Sequence, residues 1–429
     1  DVSLSKCSGI SLGKYLQPEN DNKWLKWKFK DGTQTERDCI CQAQREGWTK
    51  ERIGSHIVRR CNIHDCGQTG IVGHLGGVFS VIEDNHIHHI NNRQNLAGAE
   101  IGGIKMHAAI DVIIRRNHFH HCTRGLWLDW QAQGTRVTQN LFHDNTIPFD
   151  HLMTKEAKAV QAIGEDIFIE VSHGPTLVDH NLLLSKRSFK MATQGVAVVH
   201  NLIAGAMTAV GTGVDNGAKT LRSPRYTPYH VPHRTEVAGF MTILHGDMRF
   251  YNNVFVQQEV PAFLKEVEEK VTEKVWDDFN TTVGTKPYDD YQTYEEWEKE
   301  FDGYCGMGSA PSDRYYIPLP VWTGGNRYYN GAKPCDKEKD FNVDTEHAIR
   351  LELKEEEGGW KLYTNLGEFL PAGEEKLITT ETLGMAFEPE QRYENPDGSA
   401  IVFDEDYFGA KKAHVTAGPF DRVTDGMCV

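Results

Sequence analysis

The sequence predicts an all-β fold, a β-solenoid of stacked parallel coils that carries a helical insertion and a C-terminal antiparallel β unit. An asparagine recurs in similar short strings at spacings of 23, 32, 23, 41 and 20 residues. These asparagines are Asn62, Asn85, Asn117, Asn140, Asn181 and Asn201. Between them lie strand-length apolar runs such as VFSVIED and TRVTQN, each closed by turn residues. A period of about 23 residues with occasional insertions is typical of coils made of three short strands.

The chain divides into four segments with different patterns. We predict a leading segment with early coils over 1–55, the solenoid over 56–260, an acidic helical or irregular insertion over 261–320, and a β-rich unit over 321–429. Apolar residues stand at helical spacing in the insertion, namely Leu264, Val267, Val271 and Val275. The last unit contains the hairpin-like runs AIRLELK, GWKLYTNL, KLITTETL and IVFDEDYF, separated by turn sequences. Residues 146–164 lengthen one coil and are predicted to bulge outward as a loop.

The recurrent asparagines have a structural explanation. Asparagine tolerates bends with a positive φ, and its amide can hydrogen-bond to the copy in the next coil. Histidines recur as well, at His86, His88 and His89 and again at His118, His120 and His121. Because they follow the repeat, strand alternation is expected to point their side chains in opposite directions, and we predict no metal site there.

The composition argues against several classes of partner. The 429 residues include 46 basic and 61 acidic ones, a net charge of −15. Such a charge repels phosphate backbones and anionic lipid, so neither nucleic acid nor a membrane is an expected partner. No apolar run approaches the roughly 18 residues of a membrane span. The nine cysteines are odd in number and lack paired C-x-x-C spacing, so we expect reduced thiols.

Aligning the coils brings polar residues into one outward-facing column. In the strands GLWLDWQ and DIFIEVS the leucines and isoleucines alternate with Asp129 and Glu170, which therefore face outward together. Neighbouring strands are expected to extend this column on both sides, with Lys190 directly next to Glu170. The predicted column is His74, His107, Asp129, Glu170 and Lys190.

Two stacked carboxylates suit glycoside hydrolysis. Parallel strands lie about 4.8 Å apart, so the carboxyl groups of Asp129 and Glu170 should be about 5 Å apart. Retaining glycosidases need about 5–5.5 Å, whereas inverting ones need about 6.5–9.5 Å. At an effective dielectric constant of about 20, two charges at about 5 Å repel by about 3 kcal/mol, or about 2 pKa units. One carboxyl is therefore expected to hold its proton near neutrality, as acid/base catalysis requires.

A simpler interpretation is that outward-facing carboxylates on a solenoid are solvated and idle. Two observations weigh against it. A like-charged pair stacked in a strand column is destabilising unless a function requires it. Trp127 and Phe168 also point to the same side as the carboxylates, where they could form an apolar platform for a sugar ring unless a loop covers them.

Three strings, GAEIGGIKMHAAID (98–111), GLWLDWQAQGTRVTQNLF (125–142) and DIFIEVSHGPTLVDHNLL (166–183), resemble glycoside hydrolase family 120. The known members of that family are β-xylosidases built on a right-handed parallel β-helix. The resemblance implies that Asp129 is the nucleophile that forms a xylosyl-enzyme and that Glu170 is the general acid/base. It also implies that Glu100 is a third acidic residue near the substrate. The chain departs from the family pattern in two ways. The β-sandwich that family members carry upstream is expected to lie outside this chain, and residues 146–164 separate Asp129 from Glu170 more widely along the sequence.

We therefore expect a retaining, exo-acting β-xylosidase that releases xylose from short β-1,4-xylo-oligosaccharides by double displacement. The residues expected to bind the sugar are Glu100, His107, Trp127, His173, Lys190, His230 and His233. This chemistry needs neither a metal nor an organic cofactor. Two alternatives are a β-helix polysaccharide lyase acting on pectin, with Lys190 as its base, and a non-catalytic carbohydrate-binding solenoid.

Glycoside specificity and oligomeric state stay open at this point, a homo-oligomer being one possibility. The first residues, DVSLSKCSGI, lack the pattern of a signal peptide, which slightly favours a cytoplasmic location. The chain also begins without Met, so an upstream segment is expected to be missing from it.

Overall fold

The computed structural model describes residues 1–14, 32–96, 100–146, 164–209, 225–270 and 280–429. The predicted solenoid is confirmed, since the described strands form three long parallel sheets that wind around a common core. Successive strands along the chain join different sheets in turn, so each coil contributes one short strand to each sheet.

The strands of the early coils are β1 (Val2–Ser3), β2 (Ser8–Lys14), β3 (Ile57–Arg59), β4 (Asn62–His64), β5 (Thr69–His74), β6 (Val81–Glu83), β7 (His86–His88), β8 (Gly102–His107), β9 (Ile113–Arg115), β10 (His118–His120), β11 (Leu126–Asp129), β12 (Thr135–Thr138) and β13 (Leu141–His143). The later strands are β14 (Ile167–Glu170), β15 (Thr176–Asp179), β16 (Leu182–Leu183), β17 (Arg187–Ala192), β18 (Gln194–Val199), β19 (Leu202–Ile203), β20 (Ala206–Ala209), β21 (Tyr226–His230), β22 (Val237–Thr242), β23 (Gly246–Tyr251), β24 (Val254–Val256), β25 (Val321–Gly324), β26 (Arg327–Tyr329), β27 (Asn342–Val343), β28 (Leu351–Glu356), β29 (Gly359–Thr364) and β30 (Met427–Cys428).

Three sheet names are used below. Sheet A is ordered β1-β4-β7-β10-β13-β16-β19-β24-β26-β27, sheet B is β2-β5-β8-β11-β14-β17-β20, and sheet C is β25-β23-β18-β15-β12-β9-β6-β3. The helices are α1 (Gly32–Arg45), α2 (Ala262–Lys270), α3 (Tyr294–Lys299), α4 (Leu366–Phe369) and α5 (Thr380–Leu383), with 3-10 turns at Lys286–Tyr288 and Ala310–Tyr316.

The interior of the coils is apolar because each short strand points its middle residue inward. In sheet A these residues include Ile87, Phe119 and Phe142, all fully buried. The rings of Phe119 and Phe142 stack at 4.5 Å with an angle of 2° between their planes. Period-two alternation then leaves the flanking residues of the same strands on the outer face.

The asparagines form an internal ladder, as predicted. The amide Nδ2 of Asn85 donates to Oδ1 of Asn117 at 2.9 Å, and the pattern repeats from coil to coil up to Asn326. Two details of the prediction are wrong. The positive φ belongs to the residue before each ladder asparagine, for example Asp84 at 56°. Asn62 pairs in register with His86, so Cys61 occupies the ladder position in that coil.

Helix α1 and the antiparallel hairpin β21–β22 lie over the outer face of sheet B. Buried Ile40 of α1 packs in one apolar cluster with Leu75, at the end of β5. The side chain of Gln44 in α1 donates to the carbonyl of Thr235 in the hairpin connection at 2.6 Å. These contacts fix the helix and hairpin to each other above the polar residues of sheet B.

The parallel sheets extend beyond the boundary predicted at residue 260. Strand β25 pairs with β23, and β26 pairs with β24, so residues after the helical insertion build the last coils. The insertion contains α2 and α3, and Leu264 of α2 is buried. Val271 and Val275 lie outside the described residues, as does nearly all of the predicted 146–164 loop.

The C-terminal unit is only partly the predicted set of hairpins. AIRLELK and GWKLYTNL form the antiparallel pair β28–β29, to which β30 adds. KLITTETL instead contains α5, and IVFDEDYF makes only isolated bridges. All nine cysteines are free thiols, as expected. None of the helices in the described part of the chain is long and apolar enough to cross a membrane.

Candidate active site

The outer face of sheet B carries the predicted polar column. His74 pairs with His107 and His107 with Asp129, which confirms that part of the register. Leu128 pairs with Ile169, and each of these strands continues by one residue, to Asp129 and to Glu170. The two carboxylates therefore end neighbouring strands on the same face, and the usual strand spacing predicts carboxyl groups about 5 Å apart.

Lys190 does not lie next to Glu170, as had been expected. The register pairs Glu170 with Ala192 and Phe168 with Lys190. Lys190 therefore belongs to a second outward-facing column, displaced by two residues along the strands. That column is Val72, Lys105, Trp127, Phe168 and Lys190.

Asp129 is a buried carboxylate with several donors around it. Its Oδ2 lies 2.9 Å from the ammonium of Lys105 and 3.4 Å from Nε2 of His107. Its Oδ1 accepts a hydrogen bond of 2.9 Å from the backbone N–H of Trp130. Burial raises the pKa of Asp129, but the positive charges of Lys105 and His107 lower it more, and the net pKa lies below its usual value. Asp129 therefore stays ionised at neutral pH.

Lys105 holds the site together, although the sequence reasoning missed it. Its side chain is fully buried, and its ammonium bridges Asp129 and Oε2 of Glu100, which is 3.1 Å away. The pKa of Lys105 is raised because its two carboxylate partners outweigh the effect of burial, whereas these contacts and His107 lower the pKa of Glu100 to about 2 despite its burial. Strand alternation could have identified it, because Lys105 stands two residues before His107 in β8 and the two side chains therefore face the same side.

Glu170 is also buried and is paired with Arg225, the second functional residue that sequence reasoning missed. The guanidinium of Arg225 contacts Oε1 of Glu170 and lies 4.6 Å from the ring centre of Trp130. Arg225 directly precedes β21, so the hairpin brings it over sheet B. Nothing in the local sequence RYTPYH indicated this contact, because it depends on how the hairpin folds back.

The aromatic platform forms but is covered. Trp127 and Phe168 stack with their ring centres 4.9 Å apart and are only 6% and 3% exposed. Lys105 lies over Trp127, Lys190 lies over Phe168 at 4.7 Å, and Arg124 lies over both rings. The rings therefore support the cations of the site, and the expectation of an open sugar platform is wrong.

A fourth acidic group, Glu36, reaches the column from α1. Glu36 lies 3.5 Å from Nε2 of His74 and accepts a hydrogen bond of 3.0 Å from Gln131. Although burial raises the pKa of Glu36, its contacts with His74 and the charge of His107 lower it overall. The pKa of His107 is raised, because the charge of Asp129 outweighs burial. Among the described residues, the buried Nδ1 of His107 has no hydrogen-bond partner.

Three predicted sugar ligands have structural roles instead. His173 is buried, with Nε2 shared between the carbonyls of Thr227 and Met241 and Nδ1 bonded to Gln194. His230 is fixed in the same way, by the carbonyl of Thr235 and by Gln131. Burial lowers the pKa of both histidines to about 4.

His233, the third of these residues, binds Asp111 at 3.0 Å and Glu394 at 3.1 Å. Its pKa is raised to about 9, mainly by the hydrogen bond to Asp111, so it is a protonated link between the hairpin connection and the C-terminal unit. Both ring nitrogens are occupied, as in His173 and His230. The structure thus gathers Glu100, His107, Trp127, Asp129 and Glu170 and leaves these three histidines outside the group.

Comparison with known proteins agrees with this fold. A family model described as a right-handed β-helix region matches residues 32–202, in accord with the predicted handedness. The search of curated proteins gave no match. A solved structure of XylC in complex with xylose matches with a TM-score of 0.79 and 38% sequence identity, over 98% of this chain and 58% of that one. The chain thus spans a little more than half the length of this relative, and it is a right-handed parallel β-helix protein similar to XylC.

Proposed function

We propose that the chain carries the active site of a retaining, exo-acting β-xylosidase that acts on short β-1,4-xylo-oligosaccharides. The observation that carries the proposal is the pair of buried carboxylates, Asp129 and Glu170, at the ends of adjacent strands. The separation of about 5 Å expected from strand spacing suits a glycosyl-enzyme mechanism. The similarity to XylC, which was solved with xylose, supports a pentose-containing substrate.

In the first step, the ionised carboxylate of Asp129 attacks the anomeric carbon while Glu170 gives its proton to the departing glycosidic oxygen. The bond from that carbon to the leaving oxygen breaks, and an ester to Asp129 forms. In the second step, Glu170 takes a proton from water, the water oxygen bonds to the anomeric carbon, and the ester breaks. The reducing sugar leaves with its original configuration.

The surrounding charges have separate roles in this scheme. Lys105 keeps Asp129 ionised and in position, and Arg225 orients the carboxyl group of Glu170. His107 and Glu100 are assigned to the sugar hydroxyls, because Nε2 of His107 lies near the carboxylates of both Asp129 and Glu100. Lys190, which contacts Phe168, is not assigned to the sugar.

The lyase alternative is less well supported. A lyase needs a neutral basic group to abstract a proton, and the lysine nearest to the carboxylates, Lys105, has a raised pKa because of Asp129 and Glu100. Lys190, the base first considered, lies opposite Phe168 rather than beside Glu170. A purely carbohydrate-binding role would leave the buried pair of carboxyl groups without a purpose.

The test compares Asp129→Asn and Glu170→Gln with the unchanged protein on an aryl β-xyloside. We expect kcat to fall on the order of 10⁴-fold for Asp129→Asn. With azide, Glu170→Gln should regain turnover and give a β-xylosyl azide, because azide needs no general base. Asp404→Asn, an exposed carboxylate paired with Lys411, is the matched control and should keep full activity. Proton NMR should show the β-anomer of xylose as the first product.

Three results would contradict the proposal. Retention of most activity in Asp129→Asn would show that Asp129 is not the nucleophile. An α-anomer as first product would exclude double displacement. Binding of xylo-oligosaccharides with no hydrolysis by the unchanged protein would favour the carbohydrate-binding alternative.

A further inference from the structure

The outer face of sheet A carries three parallel rows of histidines, far from the carboxylates in the sheet topology. Strand pairing sets His86 beside His118 and His88 beside His120 in exact register of the coils. The rows are His64, His88, His120 and His143; His86 and His118; and His89 and His121. Within the rows, ring centres are 4.8–5.0 Å apart. The expectation that strand alternation would separate these histidines is therefore wrong.

Three of the rings converge on one point. The ligand nitrogens of His86, His118 and His120 all lie within 4.8 Å of one another. The Nε2 atoms of His86 and His120 are 2.8 Å apart, which is hydrogen-bond contact. Zinc–nitrogen bonds of about 2.0–2.1 Å require ligand nitrogens about 3.3 Å apart in a tetrahedron. Binding of an ion would replace two present contacts, between Nε2 of His86 and Nε2 of His120 and, at 2.7 Å, between Nε2 of His118 and Nε2 of His143.

We propose that His86, His118 and His120 form a binding site for one divalent transition-metal ion of the zinc, nickel and copper class, whose preferred protein ligand is imidazole. The proposal does not depend on the catalytic role of Asp129 and Glu170, because those residues stand on sheet B.

The surroundings of the three histidines are those of a supported ligand set. Nδ1 of His120 is hydrogen-bonded to Nδ1 of His121 at 2.7 Å, which fixes the orientation of its ring. Trp360 of the hairpin β28–β29 covers the cluster, with its ring centre 5.2 Å from that of His118. Its cross-strand partner, Glu355, offers a carboxylate to balance the charge of the ion.

A second group in the described chain, Glu36, His74 and His107, also has ligand atoms within 4.8 Å of one another. It is a poorer site for a cation, because the ammonium of Lys105 lies 2.7 Å from Nε2 of His107 and would repel the ion. This difference allows the two locations to be separated by experiment.

The test is isothermal titration calorimetry of the whole chain with zinc chloride, after removal of metals with EDTA. We expect one ion per chain with a Kd on the order of 1 µM or tighter. His118→Gln and His86→Gln should each weaken binding by about 100-fold. His56→Gln, an exposed histidine on the neighbouring coil, and His74→Gln should bind as the unchanged protein does. Copper bound at the site should show an electron paramagnetic resonance spectrum with hyperfine coupling to three nitrogens.

Unchanged zinc affinity in both His118→Gln and His86→Gln would overturn the proposal, as would loss of binding in His74→Gln alone. Far-UV circular dichroism checks that each variant is folded. If a variant does not fold, anomalous scattering from zinc-soaked crystals of the unchanged protein decides, and a peak anywhere other than at these three histidines counts against the site.

Discussion

The outer faces of sheets A and B solve the same stacking problem in different ways. In a parallel β-helix whose coils are in register, equivalent positions of successive coils lie about 4.8 Å apart, so side chains at the same position of the repeat stack on one another. Sheet A stacks neutral histidine rings nearly parallel, for example His88 on His120 with an angle of 2°. Sheet B stacks different residues, and the carboxylates of Asp129 and Glu100 share one ammonium, that of Lys105.

The difference shows what a repeated fold permits at its surface. Identical rings gain from stacking as long as they are neutral, and burial with nearby histidines lowers the pKa of His118 to about 2. Identical charges repel, so a charged column must include cations or lose stability. The irregular column therefore combines carboxylates with cations, whereas the regular rows present imidazole rings to one another.

The largest effect should come from removing the cation that sheet B requires. In Lys105→Met the buried carboxylate of Asp129 and the partly exposed carboxylate of Glu100 lose their shared ammonium. Loss of one partner from a buried ion pair costs about 3–5 kcal/mol of unfolding free energy. Activity on an aryl xyloside should fall at least about 100-fold, because Asp129 loses its main positioning contact. Chemical denaturation and steady-state kinetics provide the two measurements.

Lys376→Met is the control for this change. Lys376 pairs with Asp340 at 2.8 Å on the surface, with the two side chains 83% and 66% exposed. Such pairs contribute about 0–1 kcal/mol, so stability and activity should hardly change. If Lys105→Met and Lys376→Met lowered the unfolding free energy equally, burial of the charge network would not contribute to stability.

A smaller effect is expected when a charge is introduced into sheet A. His88 lies between His64 and His120, with ring centres 4.9 Å away on each side. His88→Lys places a permanent charge in the stack and should lower the unfolding free energy by about 2–3 kcal/mol. His88→Phe keeps a flat ring and should cost about 1 kcal/mol, for the lost hydrogen bonds to His89 and Asn62. If Phe destabilised more than Lys, stacking of neutral rings would not be the reason for the row.

The smallest effect is a difference in the pH at which each face loses stability. Burial lowers the pKa of His88 from 6.5 to about 4, so its neutral form stabilises the fold above pH 6.5 and that stability is lost as pH falls through about 4. The pKa of Glu100 is lowered from 4.5 to about 2, so its contribution is present above pH 4.5 and lost as pH falls towards 2.

Unfolding free energy measured from pH 7 to pH 2.5 should therefore fall less steeply above pH 4.5 in His88→Phe, and less steeply below pH 4.5 in Glu100→Gln. The unchanged protein shows both slopes. A single slope that neither substitution alters would mean that other groups control the acid sensitivity.

Much of the fold followed from the sequence because its signals are local and repeated. The asparagine strings predicted the coils, and the alternation in GLWLDWQ and DIFIEVS predicted that Asp129 and Glu170 share one face. The sequence misplaced Asn62 by one residue in the ladder and placed Lys190 beside Glu170. Both errors arose where coil lengths differ, since register between coils depends on where each loop begins. The segment KLITTETL was predicted as a strand but contains helix α5, because so short a pattern is compatible with a strand and with a helix.

The sequence alone determined the stacked coils, the inward apolar residues and the order of polar residues along each strand, because neighbouring positions in a solenoid are set by chain periodicity. Only the tertiary structure decided which distant groups touch the carboxylates. Lys105 could have been found by alternation, but Arg225 from the hairpin and Glu36 from α1 reach sheet B through packing that no repeat encodes. The same packing holds His173, His230 and His233 in structural hydrogen bonds, since their partners are backbone carbonyls and side chains brought together by folding.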